Sequence, residues 1–240
     1  MFVLAKQVLL RIVLPIAVLL LFLIGLGLLL THQAAHWWPL TIEDGVNREF
    51  AGDRVEPLTQ ISGWVSAVAN TGWIIAVTAV IAVILRLVLH RWRESIFLCL
   101  AVTAQALVFF FTTLAIDRPR PDVKRLDASP PTSSFPSGHT SASVALYLGL
   151  ALLLAGLVRH TWLKALCWAL VLVPIAVAFS RMFRGMHHPS DVVAAFINGT
   201  TCVIVMARAI LDRKVIPWSR SISLPHPRRT DSAPSRRAAV

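Results

Sequence analysis

The sequence predicts an all-α fold, a six-transmembrane helix bundle. Apolar residues make up 56% of the 240 positions, and the mean hydropathy is +0.70, too apolar for the surface a soluble domain of this length would need. Six long apolar runs recur along the chain, and the charged residues gather in the segments between them.

The first run, Ile12 to Leu30, has nineteen residues without a charge, about the length that crosses the ~30 Å hydrocarbon core at helical rise. Lys6 and Arg11 precede it as they would a signal peptide. The run is long for a signal h-region, however, and His32-Gln33-Ala34-Ala35-His36 is a poor cleavage site, so a retained helix is expected. Further spans are expected at Gly63–Leu85, Ser95–Ile116, His139–Val158, Trp162–Phe179 and Val192–Leu211. Pro15 and Pro174 fall inside spans, where neighbouring helices accommodate a kink. No internal repeat is visible, which removes the main support for an inverted-repeat transporter.

Charge orients the bundle. The N-terminus, the Arg86–Glu94 and Arg159–Lys164 turns and the tail from Arg208 together hold fifteen Lys/Arg against three Asp/Glu. Segments 32–62, 117–138 and 180–191 hold eight against nine. The positive-inside rule therefore places both termini in the cytoplasm and those three segments outside. Trp37, Trp38, Trp64, Trp92 and Trp162 lie near span ends, as interfacial anchors do. Residues 1–215 read as one membrane domain, and 216–240, rich in Ser, Pro and Arg, as a disordered basic cytoplasmic tail suited to anionic lipid.

The formal net charge of +11 does not point to nucleic acid, because the excess lies in short loops and the tail, without an aromatic-interleaved groove. Cys99, Cys167 and Cys202 each sit inside an apolar run, without the paired spacing of a disulfide or metal site.

Polar residues that loop filler does not explain form three clusters, all on the expected outer face. Asp117-Arg118-Pro119-Arg120-Pro121 ends the third span and offers guanidinium forks suited to phosphate oxygens, with prolines keeping the backbone extended. Pro136-Ser137-Gly138-His139 opens the fourth span. Free helix N-terminal amides there favour an anion, Gly138 allows close approach, and His139 stands where it can donate a proton. Each of these two clusters taken alone has a commoner bland reading, as snorkelling arginines and as an N-cap serine beside an incidental histidine.

The third cluster, Ser180 to Asp191, sets Arg181, His187 and Asp191 between the fifth and sixth spans. Asp191, four residues after His187, is expected in the first turn of the sixth helix, reaching back to the imidazole. A carboxylate on one ring nitrogen leaves the other free to attack phosphorus. Arg181 is expected to clamp phosphate across the loop. Arg184 and His188 receive no distinct role. Asn70, Thr71 and Gln105 lie in or near spans, where they could line the space between helices, and ordinary interhelical hydrogen bonds are the commoner expectation.

Arg120-Pro121, Pro136-Ser137-Gly138-His139 and Ser180-Arg181-x5-His187-x3-Asp191 together resemble the tripartite signature of the type 2 phosphatidic acid phosphatase superfamily, over roughly residues 1–212. The resemblance implies an integral membrane lipid phosphatase of the cytoplasmic (inner) membrane, using no metal and no cofactor and acting on the outer leaflet. His187 would be the nucleophile that forms a phosphohistidine, Asp191 its orienting carboxylate and His139 the general acid. Arg120, Arg181, Ser137 and Gly138 would bind the phosphoryl oxygens. The implied substrates are polyprenyl diphosphate, phosphatidylglycerol phosphate or phosphatidic acid, and the implied partners are that lipid and the bilayer.

One position departs from the pattern. The family's first block begins with a lysine seven residues before the arginine, and here that position is Thr113. Arg118, which joins the phosphate-binding set, and Lys124 are the candidates to replace its charge. Two alternatives remain: a phosphotransferase using the same phosphohistidine, and a lipid-phosphate binder or transporter without turnover.

Overall fold

The computed structural model describes residues 2–33, 37, 40–128 and 132–211, and among these every regular element is helical. Six helices are long and apolar enough to cross a membrane: α1 (Val3–Gln33), α4 (Thr71–Leu89), α5 (Arg93–Ala115), α6 (Gly138–Leu157), α7 (Thr161–Phe183) and α8 (Pro189–Leu211). Two shorter helices, α2 (Glu43–Gly52) and α3 (Glu56–Ala67), lie between α1 and α4. Trp38 and the basic segment from residue 216 lie outside the described residues.

The second span corrects the sequence reading. Gly63 to Leu85 reads as one apolar run, but the helix breaks at Asn70, whose backbone is extended (φ −61°, ψ 146°), and α4 starts only at Thr71. The apolar Val65 and Val68 made the run look continuous. The helix that carries Val65 and ends just before Val68, α3, instead packs along the second half of α7 and lends its small residues to the site.

The other helix ends are locally determined. Ser137 caps α6, its hydroxyl accepting from the Thr140 amide. Pro189 sits in the first turn of α8, where a missing N–H costs nothing, and His188 and Asp191 form a reciprocal cap there. α4 stops at His90, in the left-handed region at φ 55°. At the head of α5, buried Glu94 takes Arg91 at 3.0 Å and Arg93 at 3.3 Å. Pro174 follows a 3-10 turn at Ala169–Val171, the kind of local adjustment that accommodates a missing backbone donor.

α5 is central, packed against α1, α4 and α8, while α8 also lies against α6. Leu23, Phe97, Leu98, Val108, Leu146 and Cys202 are buried in the resulting core. α6 and α8 approach closely because Gly199 has no side chain: a Cβ there would stand 2.6 Å from Val144 Cβ and 2.7 Å from the Ser141 carbonyl. Outward faces carry exposed Leu21, Ile75, Leu87, Leu114 and Leu166, which suits helices whose surroundings are lipid. At one end of this bundle, the end of α7 and the heads of α6 and α8 converge with the segment that follows α5.

Candidate active site

The heads of two helices frame the site. The Ser137 amide donates to the Asp191 carbonyl at 3.1 Å, so the caps of α6 and α8 are joined through the backbone. That amide is therefore committed, and the anion-binding potential of this turn rests with the following helix N–H groups. Gly138 is required by packing as well, since a Cβ would meet the Phe109 ring at 2.9 Å.

His187 is 4% exposed, and its Nδ1 donates to the Ser134 carbonyl at 2.7 Å. A carbonyl only accepts, so Nδ1 carries the proton and Nε2 keeps its lone pair. Burial pushes this imidazole down to about 3, against the raising influence of Asp191, so the ring is neutral at physiological pH.

The expected carboxylate–imidazole bond is replaced. The nearest Asp191 oxygen is 3.9 Å from His187 Nδ1. Asp191 caps its helix instead: Oδ2 accepts from the His188 amide at 2.8 Å and lies 3.3 Å from His188 Nδ1. An aspartate in the first turn of a helix finds the preceding orphan amides closer than a side chain in the loop beyond them. Asp191 thus faces His187 as a fully buried charge, without a hydrogen bond to it.

Arg118 holds Asp191 from the other side. Its Nη1 donates to Asp191 Oδ1 and, at 2.7 Å, to the Ser190 hydroxyl, while Nη2 donates to Glu43 Oε2 at 2.8 Å. Both outer nitrogens are therefore taken by protein groups. Glu43 also accepts from the Ser190 amide at 2.8 Å and hydroxyl at 3.0 Å. The result is a buried tie joining α2, the segment after α5 and the head of α8. Arg120 is half-buried and donates to the Met186 carbonyl at 2.8 Å, the residue before His187. Burial lowers its guanidinium from the ordinary arginine value, with Asp191 opposing that shift and Arg125 adding to it.

A cavity of about 310 Å³ opens beside these groups, lined by His139, Arg181, Asn70 and Asp127 and by Gly63, Ser66 and Ala67 of α3. Among the described residues His187 is not in that lining. His139 Nε2 donates to Asn70 Oδ1 at 2.8 Å, which puts a proton on the nitrogen that meets Asn70. Arg181 is 4% exposed, and its Nη1 donates to Ser66 at 2.8 Å and Asp127 at 2.6 Å. Its Nε is buried and, among the described residues, unpartnered. Arg184 also grips Asp127, with Nε 2.9 Å from both carboxylate oxygens. Ser180 donates to the Ser62 carbonyl at 2.7 Å, fastening α3 to α7.

A family model of the PAP2 superfamily matches residues 67–214. The chain belongs to the PAP2 superfamily. Two solved structures share its fold. One is described as the first transmembrane PAP2 type phosphatidylglycerolphosphate phosphatase from Bacillus subtilis. It aligns at a TM-score of 0.69 and 19% identity over 85% of this chain and 98% of that one. The other is Aquifex aeolicus LpxE, at a TM-score of 0.56 and 20% identity over 70% and 95%. This protein is thus a multi-pass membrane member of the PAP2 superfamily, with the fold of membrane lipid phosphatases.

Within this PAP2 site, Glu43, Ser134 and Asp127 escaped the sequence reading, whereas Asn70 makes the interhelical bond expected of it, to His139, and lines the cavity as well. Asn70 carried the best available signal, a polar residue inside an apolar run. Ser134 acts through its backbone, which side-chain patterns do not report. Thr113 turns its hydroxyl to the Phe109 carbonyl of its own helix at 2.8 Å.

Proposed function

We propose that this protein is a lipid phosphate phosphatase that works through a phosphohistidine on His187. The observation carrying this reading is the pairing of His187 Nδ1 with the Ser134 carbonyl: it leaves Nε2 unprotonated on a buried, neutral ring beside Asp191. Membership in the PAP2 superfamily and the lipid-phosphatase fold support it.

In the first step His187 Nε2 attacks phosphorus, the P–N bond forms, and the P–O bond to the lipid breaks. The imidazole then carries positive charge, which the Asp191 carboxylate at 3.9 Å and the Ser134 carbonyl at 2.7 Å stabilise. His139, entering as the imidazolium, gives one ring proton to the departing lipid oxygen and is left as the neutral ring that Asn70 holds. In the second step the same histidine takes a proton from water as that water attacks phosphorus, the P–N bond breaks, and phosphate leaves. Arg181 and Arg120, with the amides that open α6, hold the phosphoryl oxygens. Arg118 is assigned to Asp191 and Glu43 rather than to phosphate, since both outer nitrogens are engaged there.

The substrate is a lipid with a terminal phosphate or diphosphate: phosphatidylglycerol phosphate, polyprenyl diphosphate or phosphatidic acid. The charge bias of the loops supports an outward-facing site with both termini in the cytoplasm. The test uses purified protein in detergent, given these lipids with chelator present. Wild type releases phosphate and His187→Ala does not. Equal release by both contradicts the mechanism, transfer to an acceptor lipid instead of water supports a phosphotransferase, and binding without release supports a binder.

A further inference from the structure

The phosphate-binding arginine of this site already holds an anion, and that anion belongs to the protein. Asp127 accepts from Arg181 Nη1 at 2.6 Å and from Arg184 Nε at 2.9 Å on both of its oxygens, and it lines the same cavity as His139. Its side chain is 26% exposed, whereas Arg181 is nine-tenths buried and, among the described residues, keeps an unpartnered Nε. Two guanidiniums thus share one carboxylate.

We propose that Asp127 is a specificity-determining resident anion, which a ligand's phosphoryl group must displace from Arg181 and Arg184. The proposal rests on the reading that Arg181 binds the substrate phosphate. A carboxylate tethered to the chain is present at high effective concentration, so an incoming group wins only by offering more charge and more acceptors. A terminal phosphomonoester carries about two negative charges at neutral pH and three acceptor oxygens, enough for both guanidinium forks and the free Nε. A phosphodiester carries one charge and gains little by replacing another single charge. Asp127 thereby excludes the phosphodiester headgroups of the surrounding bilayer, which outnumber any terminal phosphate. Specificity here comes from an element that repels the wrong ligand.

Small probes test this without turnover. Methyl phosphate and dimethyl phosphate are titrated calorimetrically against full-length protein in detergent, for wild type, Asp127→Asn, Asp127→Ser and the charge-conserving Asp127→Glu. Both neutral variants should bind methyl phosphate about tenfold tighter than wild type, bind dimethyl phosphate measurably, and so lose discrimination, while Asp127→Glu stays near wild type. Two neutral variants are used so that a folding defect in one does not decide the matter. Unchanged or weaker binding in the neutral variants overturns the proposal and makes Asp127 a structural tie. The outcome is separable from the proposed function. Tighter binding without lipid hydrolysis keeps the resident anion and removes the enzyme, and hydrolysis with unchanged probe binding does the reverse.

Discussion

Glu43 reaches Ser190: one carboxylate oxygen takes the Ser190 amide at 2.8 Å, the other its hydroxyl at 3.0 Å, across 147 positions of sequence. The segment between the first two spans is thereby fixed to the helix head that carries Asp191. Through Arg118 the same carboxylate is coupled to Asp191 itself. This gives the segment a role in the site that its sequence does not announce.

Removing Glu43 should therefore damage turnover more than binding. Glu43→Ala leaves a buried Arg118 nitrogen and the Ser190 amide unsatisfied, at a cost of about 1–3 kcal/mol in stability. It should lower kcat by about tenfold with KM little changed, since Asp191 shifts while the phosphate-holding arginines do not. Glu43→Gln, which keeps an acceptor, should recover part of the loss. Steady-state kinetics on a lipid phosphate decide it, and a KM effect at constant kcat would count against this role.

Arg118 and Arg181 should separate in the same assay. Arg118→Lys loses the fork that spans Glu43 and Asp191 and should lower kcat. Arg181→Lys loses donors to phosphate and should raise KM and weaken methyl phosphate binding. If Arg118→Lys weakened methyl phosphate binding as much as Arg181→Lys does, Arg118 would belong to the phosphate site after all.

Burial of neutral His187 has a pH consequence. An unfolded imidazole titrates near 6.5, whereas this one is pushed down to about 3. Between those values the unfolded chain binds a proton that the folded one refuses. Stability therefore falls as pH falls through that window, by at most about 1.4 kcal/mol per pH unit. Thermal midpoints of wild type and His187→Gln, followed from about pH 7 to about pH 4, should show the shallower decline in the variant. Parallel curves would mean that His187 is charged in the folded state.

Gly185 should tolerate no side chain. It turns the chain between Arg184 and Met186 at φ 71°, and a Cβ would stand 2.8 Å from Val123 Cγ2 and 3.0 Å from Arg54 Nη2. Arg54 itself holds the Phe183 carbonyl at 2.9 and 2.7 Å. Gly185→Ala combines left-handed strain of about 1–2 kcal/mol with that crowding. It should lower the thermal midpoint and activity together, whereas Gly52→Ala, in open space, should change neither.

The spans and the three polar clusters were legible because hydropathy and motif spacing are local properties. What escaped was tertiary. The break at Asn70 was hidden because α3 is as apolar there as a span, and only its packing on α7 separates it. Asp191 was read as the partner of His187 from a spacing of four, but that spacing serves the helix cap equally well, and the nearer amide won. Arg184 and His188, which received no role from the sequence, are explained by contacts with Asp127 and Asp191. The charge missing at Thr113 finds no local substitute in Arg118, which is turned to two carboxylates.

The central claim is that His187 accepts the phosphoryl group. Protein mixed with a radiolabelled lipid phosphate, quenched in alkali within the first turnovers and digested, should yield a base-stable, acid-labile label on the peptide containing His187. That label should vanish in His187→Ala and form more slowly in His139→Ala, which lacks the proton donor of the first step. Full turnover by wild type with no labelled histidine under these conditions would contradict the account.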